Sequence, residues 1–133
     1  MSKRIFAAVV VMVGLSVVGC GSDDNDPASD PVAACKQVAS TICSKAYSCY
    51  SDAELKLAVA FVGNNQADCV TKWEGKDNLN CTTEGTKCDS GETYHSDKAS
   101  ECLKQYEGFS CAEFKGLTTG ATAKPAACDQ VCM

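Results

Sequence analysis

Residues 30–50 read DPVAACKQVASTICSKAYSCY, and this stretch decides the fold. Asp30 is a good N-cap because its carboxylate can accept from the free N–H groups of a first turn. Pro31 suits the first helical position, where it has no N–H to lose. On a wheel of 100° per residue, Val32, Cys35, Val38, Ala39, Ile42, Cys43, Ala46 and Cys49 share one arc of about 140°. Lys36, Gln37, Ser40, Thr41, Ser44, Lys45 and Ser48 fall outside it. The pattern predicts a helix with three cysteines on its buried face. Cysteines six or eight residues apart on a straight helix cannot bridge each other, since that rise exceeds the ~7 Å limit between their Cα atoms. Each must reach another segment, so the expected fold is a set of helices cross-linked to this one.

The segments that follow are mostly helical by their punctuation. Ser51-Asp52-Ala53-Glu54 is a capping box, and it opens a predicted helix over residues 52–62, the densest apolar run of the domain. Gly63-Asn64-Asn65 stops it. Asn65 caps a third helix, through Cys69 and Trp73 to Gly75. Residues 75–93, rich in Gly, Thr, Asn, Asp and Lys, read as a loop pinned by Cys81 and Cys88. A fourth helix is expected over residues 96–107, ending at Gly108. Ser110 with Glu113 starts a short turn containing Phe114, residues 117–124 form a second loop, and Pro125 opens a last short helix with Cys128 and Cys132. The expected class is therefore all-α: a small disulfide-stapled domain of four to five helices with long loops, over residues 31–133.

Composition explains the need for staples. Leu, Ile, Val and Phe supply only 15 of the 103 residues from Pro31 onward, below the level of about one in five at which disorder becomes the default expectation. Ten cysteines lie in the same span: Cys35, Cys43, Cys49, Cys69, Cys81, Cys88, Cys102, Cys111, Cys128 and Cys132. An even number in a small exported domain reads as five disulfides. If the first three helices run up, down and up, Cys69 returns to the height of Cys43 and Cys81 emerges near Cys49, so the expected pairs are Cys43–Cys69 and Cys49–Cys81. Cys69-Val-Thr-Lys-Trp-Glu-Gly75 also echoes Cys102-Leu-Lys-Gln-Tyr-Glu-Gly108. This is either a duplicated helical unit or a coincidence of shared helix rules.

The eleventh cysteine gives the address. Lys3 and Arg4 precede an uninterrupted apolar and small-residue stretch over residues 5–18, which has signal-peptide length and is short for a bilayer span. It ends in Val17-Val18-Gly19-Cys20, which resembles the lipobox of bacterial lipoproteins. The resemblance implies cleavage after Gly19 and acylation of Cys20, so the first partner is a membrane, held through acyl chains on that residue. Two or three chains would anchor firmly where one binds marginally. Residues 21–30, GSDDNDPASD, read as a flexible acidic tether. Gly21 in place of Asp after the lipidated cysteine favours the outer membrane. The cysteine- and alanine-rich chain with its Pro125-Ala126-Ala127-Cys128 ending is similar to small lipoproteins of soil proteobacteria, a resemblance that implies no activity.

The remaining chemistry is mostly excluded. Loss of residues 1–19 removes the only arginine, leaving an acidic chain unsuited to nucleic acid. Cys128-x-x-x-Cys132 lacks the Cys-x-x-Cys spacing of a redox dithiol, and no second knuckle accompanies it for structural zinc. His95, the only histidine, has Ser96 and Asp97 as chain neighbours, and adjacent residues do not converge as a triad. Asp68 and Glu101, each preceding a repeated cysteine, read as helix-surface groups. Trp73, Tyr47, Tyr50 and Phe109 are expected to pack around disulfides rather than line a groove. The expectation is a non-enzymatic envelope protein without cofactor or bound metal, first a binding or adhesion module with a protein or glycan partner, then a structural or protective component; the rival reading is a small secreted hydrolase or inhibitor-like domain.

Overall fold

The computed structural model describes residues 26–133. Cys20, the lipobox and most of the tether lie outside the described residues. Six helices follow one another: α1 (Pro31–Cys49), α2 (Asp52–Leu57), α3 (Val59–Val62), α4 (Gln66–Glu74), α5 (Ser96–Gly108) and α6 (Cys111–Thr119). Short 3-10 turns at Pro27–Ser29 and Ala126–Gln130 flank them. The only β-type pairing among the described residues is an isolated antiparallel bridge between Tyr94 and Cys132. No described helix is long and apolar enough to cross a membrane.

α1 is the post around which the rest is built. It starts as its caps require: the Asp30 carboxylate accepts from the Ala33 N–H at 2.7 Å, with Pro31 in the first turn. Its buried surface is wider than one stripe. Ala39, Cys43 and Ala46 are buried as expected, but Ala34 and Thr41 are buried too. Thr41 was expected among the outward set. It is covered because α5 packs along that flank while α4 packs along the other. The Ala, Ser and Thr residues on these flanks are small enough for neighbouring helices to come close.

The cysteines themselves do much of the packing. Cys43 and Cys69 are the largest side chains that are fully buried. They centre one core cluster with Ala46, Val62 and Phe114 at the C-terminal half of α1. A second cluster, Ala28, Ala34, Ala99 and Leu103, lies at its N-terminal half. All ten cysteines are paired: Cys35–Cys81, Cys43–Cys69, Cys49–Cys111, Cys88–Cys132 and Cys102–Cys128.

This map bears out Cys43–Cys69 and corrects Cys49–Cys81. The error lies in the path between α1 and α4. The single helix expected over residues 52–62 is broken at Ala58, whose φ of −93° and ψ of 8° leave helical geometry. The Phe61 N–H then bonds to the Ala58 carbonyl at 2.8 Å in a tightened turn. Two short helices cannot make a return journey beside the 19-residue α1, so they cross its C-terminal end. α4 therefore descends, and the chain leaving it reaches Cys35 near the start of α1. Cys49 is left to meet Cys111 at the first turn of α6.

Two further expectations shift. The turn predicted at Ser110 is a full helix, Cys111–Thr119. The Ser110 N–H donates to Glu113 at 2.8 Å, and the Glu113 N–H donates back to the Ser110 hydroxyl at 3.3 Å. The weak helix formers Gly116, Thr118 and Thr119 are carried by Phe114 and Leu117, which both face the first cluster. The flexible tether expected over residues 21–30 also stops short of its predicted end. Ala28 is buried, its carbonyl accepting from the Tyr94 hydroxyl at 2.7 Å. A segment without large apolar residues packs because an alanine fits the slot and its polar backbone is satisfied.

Gly63 permits the turn from α3 into α4. Its φ is +69°, and a Cβ there would lie 2.5 Å from Asp68 Oδ2. That carboxylate is held in place by the Asn64 backbone N–H at 2.9 Å. Gly63→Ala is therefore expected to cost about 2 kcal/mol or more, read as a lowered thermal midpoint with native helix content retained.

Candidate binding groove

The N-terminal half of α1, the pinned loop, α5 and the C-terminal turn enclose a groove of about 400 Å³. Ala34, Val38, Leu79, Ala99 and Val131 give it an apolar lining. Cysteines of three disulfides line it as well: Cys35 of Cys35–Cys81, Cys102 and Cys128 of their shared bond, and Cys132 of Cys88–Cys132. Each of the surrounding segments is thus tied covalently to a neighbour. Loop 75–93 alone has no core to hold it, so its position depends on Cys81 and Cys88.

Two tyrosines supply the aromatic surface. Tyr94 is fixed by its bond to Ala28. Burial, then the charges of Asp30 and Asp26, push its hydroxyl above the ordinary phenol range. Tyr106 stands edge-on to Phe109 at 5.8 Å. Burial again raises its pKa, with Lys124 opposing and Asp129 reinforcing the shift. Both hydroxyls are neutral hydrogen-bonding groups at physiological pH. Lys87 and Lys124 also line the groove; Lys87 is paired with Glu84 at 2.7 Å and Lys124 with Asp129. The arrangement is fitted to apolar or aromatic side chains with polar recognition at the edges. It contains no nucleophile–base pair.

A second hollow, about 280 Å³, lies between α1 and α5 and is lined by Gln37, Ser40, Thr41, Ser44, Lys45 and Glu107. Its one cation is already engaged: Lys45 Nζ donates to the Phe109 carbonyl at 2.7 Å.

Of the residues singled out from sequence, Cys35, Cys102, Cys128 and Cys132 line the groove and the others fall elsewhere. Cys128 and Cys132 have different partners and form no dithiol with each other. His95 sits before α5, its backbone N–H bonded to the Val131 carbonyl at 2.8 Å. Asp68 serves the Gly63–Asn65 turn, and Glu101 pairs with Lys98 on the surface of α5 at 3.1 Å. Tyr47, Tyr50, Trp73 and Phe109 pack on the first core cluster, as expected. Among the described residues no group of three or more His, Cys, Asp or Glu is placed to hold a metal ion. Of the groove aromatics, only Tyr106 had a sequence signal, its place one turn after Cys102. The matching position after Cys69 is Trp73, which packs on the cluster holding Cys43–Cys69. No family profile, curated protein or solved structure matches the chain.

The electrostatics of the opposite end give a pH expectation. Lys115 Nζ meets the Glu54 carboxylate at 2.8 Å, and the Ser51 N–H donates to it at 2.7 Å. The lysine first, then these Ser51 bonds, lower the Glu54 pKa from 4.5 to about 2. A depressed folded-state pKa stabilises the fold above pH 4.5, and that contribution is lost as pH falls towards 2. Glu54→Gln keeps a capping side chain but removes the charge. Its melting temperature is expected to be lower than wild type at pH 7 and to converge with wild type near pH 2, read by circular dichroism across that range.

Proposed function

We propose that the protein is a non-catalytic binding module of the bacterial cell envelope, anchored through acyl chains on Cys20, with the groove beside Tyr94 and Tyr106 as the seat of its partner. The observation that carries this reading is an apolar groove braced by three disulfides beside the smaller of the two core clusters. Rigidity of this kind lowers the ordering cost of binding. The lining is mainly aliphatic and aromatic, with few free polar groups, which favours an apolar segment of a protein over a glycan. The lipobox supports a lipid-anchored position, and Gly21 after Cys20 supports the outer membrane.

The test is a photoreactive phenylalanine analogue at Leu79, irradiated on intact cells. The expected result is one discrete adduct that saturates with expression level and is lost when Tyr106→Ala is added. A smear of abundant neighbours, unchanged by Tyr106→Ala, would overturn the reading and leave a structural or protective envelope component.

A further inference from the structure

α2 and α3 are apolar on both sides. Leu55, Ala58 and Val62 pack on the first core cluster. The opposite side presents Leu57 at 88% exposure, Phe61 at 72% and Val59 at 41%, with exposed Ala53 and Ala60 beside them. In a domain so poor in large apolar residues, these are costly ones to leave in water. The break at Ala58 makes a blunt tip of them at the C-terminal end of α1. Lys56 adjoins Leu57 and is exposed. Lys72 Nζ lies against the Val59 and Ala60 carbonyls at 3.3 and 3.4 Å. Neither lysine is among the salt bridges of the described residues, and the chain as a whole carries a net charge of −5.

We propose that this tip is a second membrane contact, inserting Leu57 and Phe61 at the headgroup–acyl boundary of the bilayer. The proposal rests on the reading that Cys20 is lipidated. Three observations favour lipid over a protein surface. The patch spans only a few hundred Å², well short of the ~800 Å² that each partner buries in a stable protein interface. Residues 57–61, Leu-Ala-Val-Ala-Phe, carry no charge, so nothing on the tip itself opposes entry into the acyl boundary, and the charges of Asp52, Glu54 and Lys56 all precede it. The stretch from Cys20 to Asp26 reaches about 20 Å at most. That keeps the domain close enough for α1, about 28 Å long, to tilt until its far end touches the surface. The acyl chains would then hold one end of α1 and the tip the other. Two or three acyl chains already anchor firmly, so what the tip adds is a fixed orientation of the domain on the surface.

The experiment uses the full lipidated chain carrying Phe61→Trp, reconstituted in vesicles of phosphatidylethanolamine and phosphatidylglycerol with brominated acyl chains. Trp73, packed on the core, supplies the wild-type baseline. The expected result is strong quenching of the added emission relative to non-brominated vesicles. Adding Leu57→Ser should weaken tip insertion by ~10-fold or more, and Lys56→Glu by ~5-fold only where phosphatidylglycerol is present. Both positions are exposed, so folding is unaffected. Quenching no greater than the Trp73 baseline overturns the tip contact. The mass of the N-terminal peptide separates this from failure of the premise: an unmodified Cys20 overturns the anchor and the proposal with it, whereas an acylated Cys20 without quenching overturns the tip alone.

Discussion

Excess reductant at neutral pH is expected to convert the domain to an unfolded chain, with loss of helical circular dichroism and a red-shifted Trp73 emission. The basis is the scale of the cross-linking relative to everything else in the fold. Each bridge typically contributes ~2–4 kcal/mol, and five together match or exceed the ~5–15 kcal/mol of net stability usual for a domain. The apolar core cannot substitute, since its largest fully buried side chains are half-cystines. Before reduction, alkylation should find none of the ten domain cysteines free. A melt unchanged in reductant, with all ten thiols alkylated, would contradict this account.

Removing single bridges separates two sources of that stability. Chain entropy alone ranks Cys49–Cys111, with a separation of 62, above Cys43–Cys69, with a separation of 26. On the loop-closure relation the two differ by under ~1 kcal/mol, and the four remaining bridges shorten both loops and shrink the gap. Burial points the other way. Cys43 and Cys69 have no exposed surface, whereas Cys111 is exposed. Replacing the buried pair with alanine deletes two sulfur atoms from the centre of the first cluster, adding ~1 kcal/mol or more for each through lost packing and cavity formation. Burial should win. The Cys43→Ala/Cys69→Ala variant is expected to lose ~4–6 kcal/mol in denaturant unfolding, and the Cys49→Ala/Cys111→Ala variant about half as much. The reverse order would show that the cysteines act mainly on the unfolded chain.

What could be read from the sequence was what local chemistry controls. Asp30-Pro31, Ser51 with Glu54, and Asn65 each set a helix start at the residue where it occurs, because an N-cap acts within one turn. Cys43–Cys69 was legible because both lie on helix faces that had to be buried. Cys49–Cys81 failed because it required the direction of α4, which depends on the break at Ala58. No Gly or Pro marks that break. Thr41 was misplaced because a wheel describes a helix with one neighbour, while α1 has α4 and α5 on opposite flanks. The groove was the least legible part. Its wall is made by Leu79, Tyr94 and Val131, which belong to no periodic pattern and are brought together by the pairing of Cys81, Cys88 and Cys128.

The docking of Ala28 beneath Tyr94 also has a mechanical meaning. With the proposed anchor at Cys20, any pull on the domain carries tension through Asp26. The first covalent stop on that path is Cys35, bonded to Cys81. Once the Tyr94 hydroxyl releases the Ala28 carbonyl and the first turn of α1 unwinds, the chain between Asp26 and Cys35 spans about 30 Å at full extension. Beyond that point the load passes into the cross-linked body, which can lengthen only by the short spans between its bridges. The segment that looks like the end of a tether is thus a short spring in series with a stiff block.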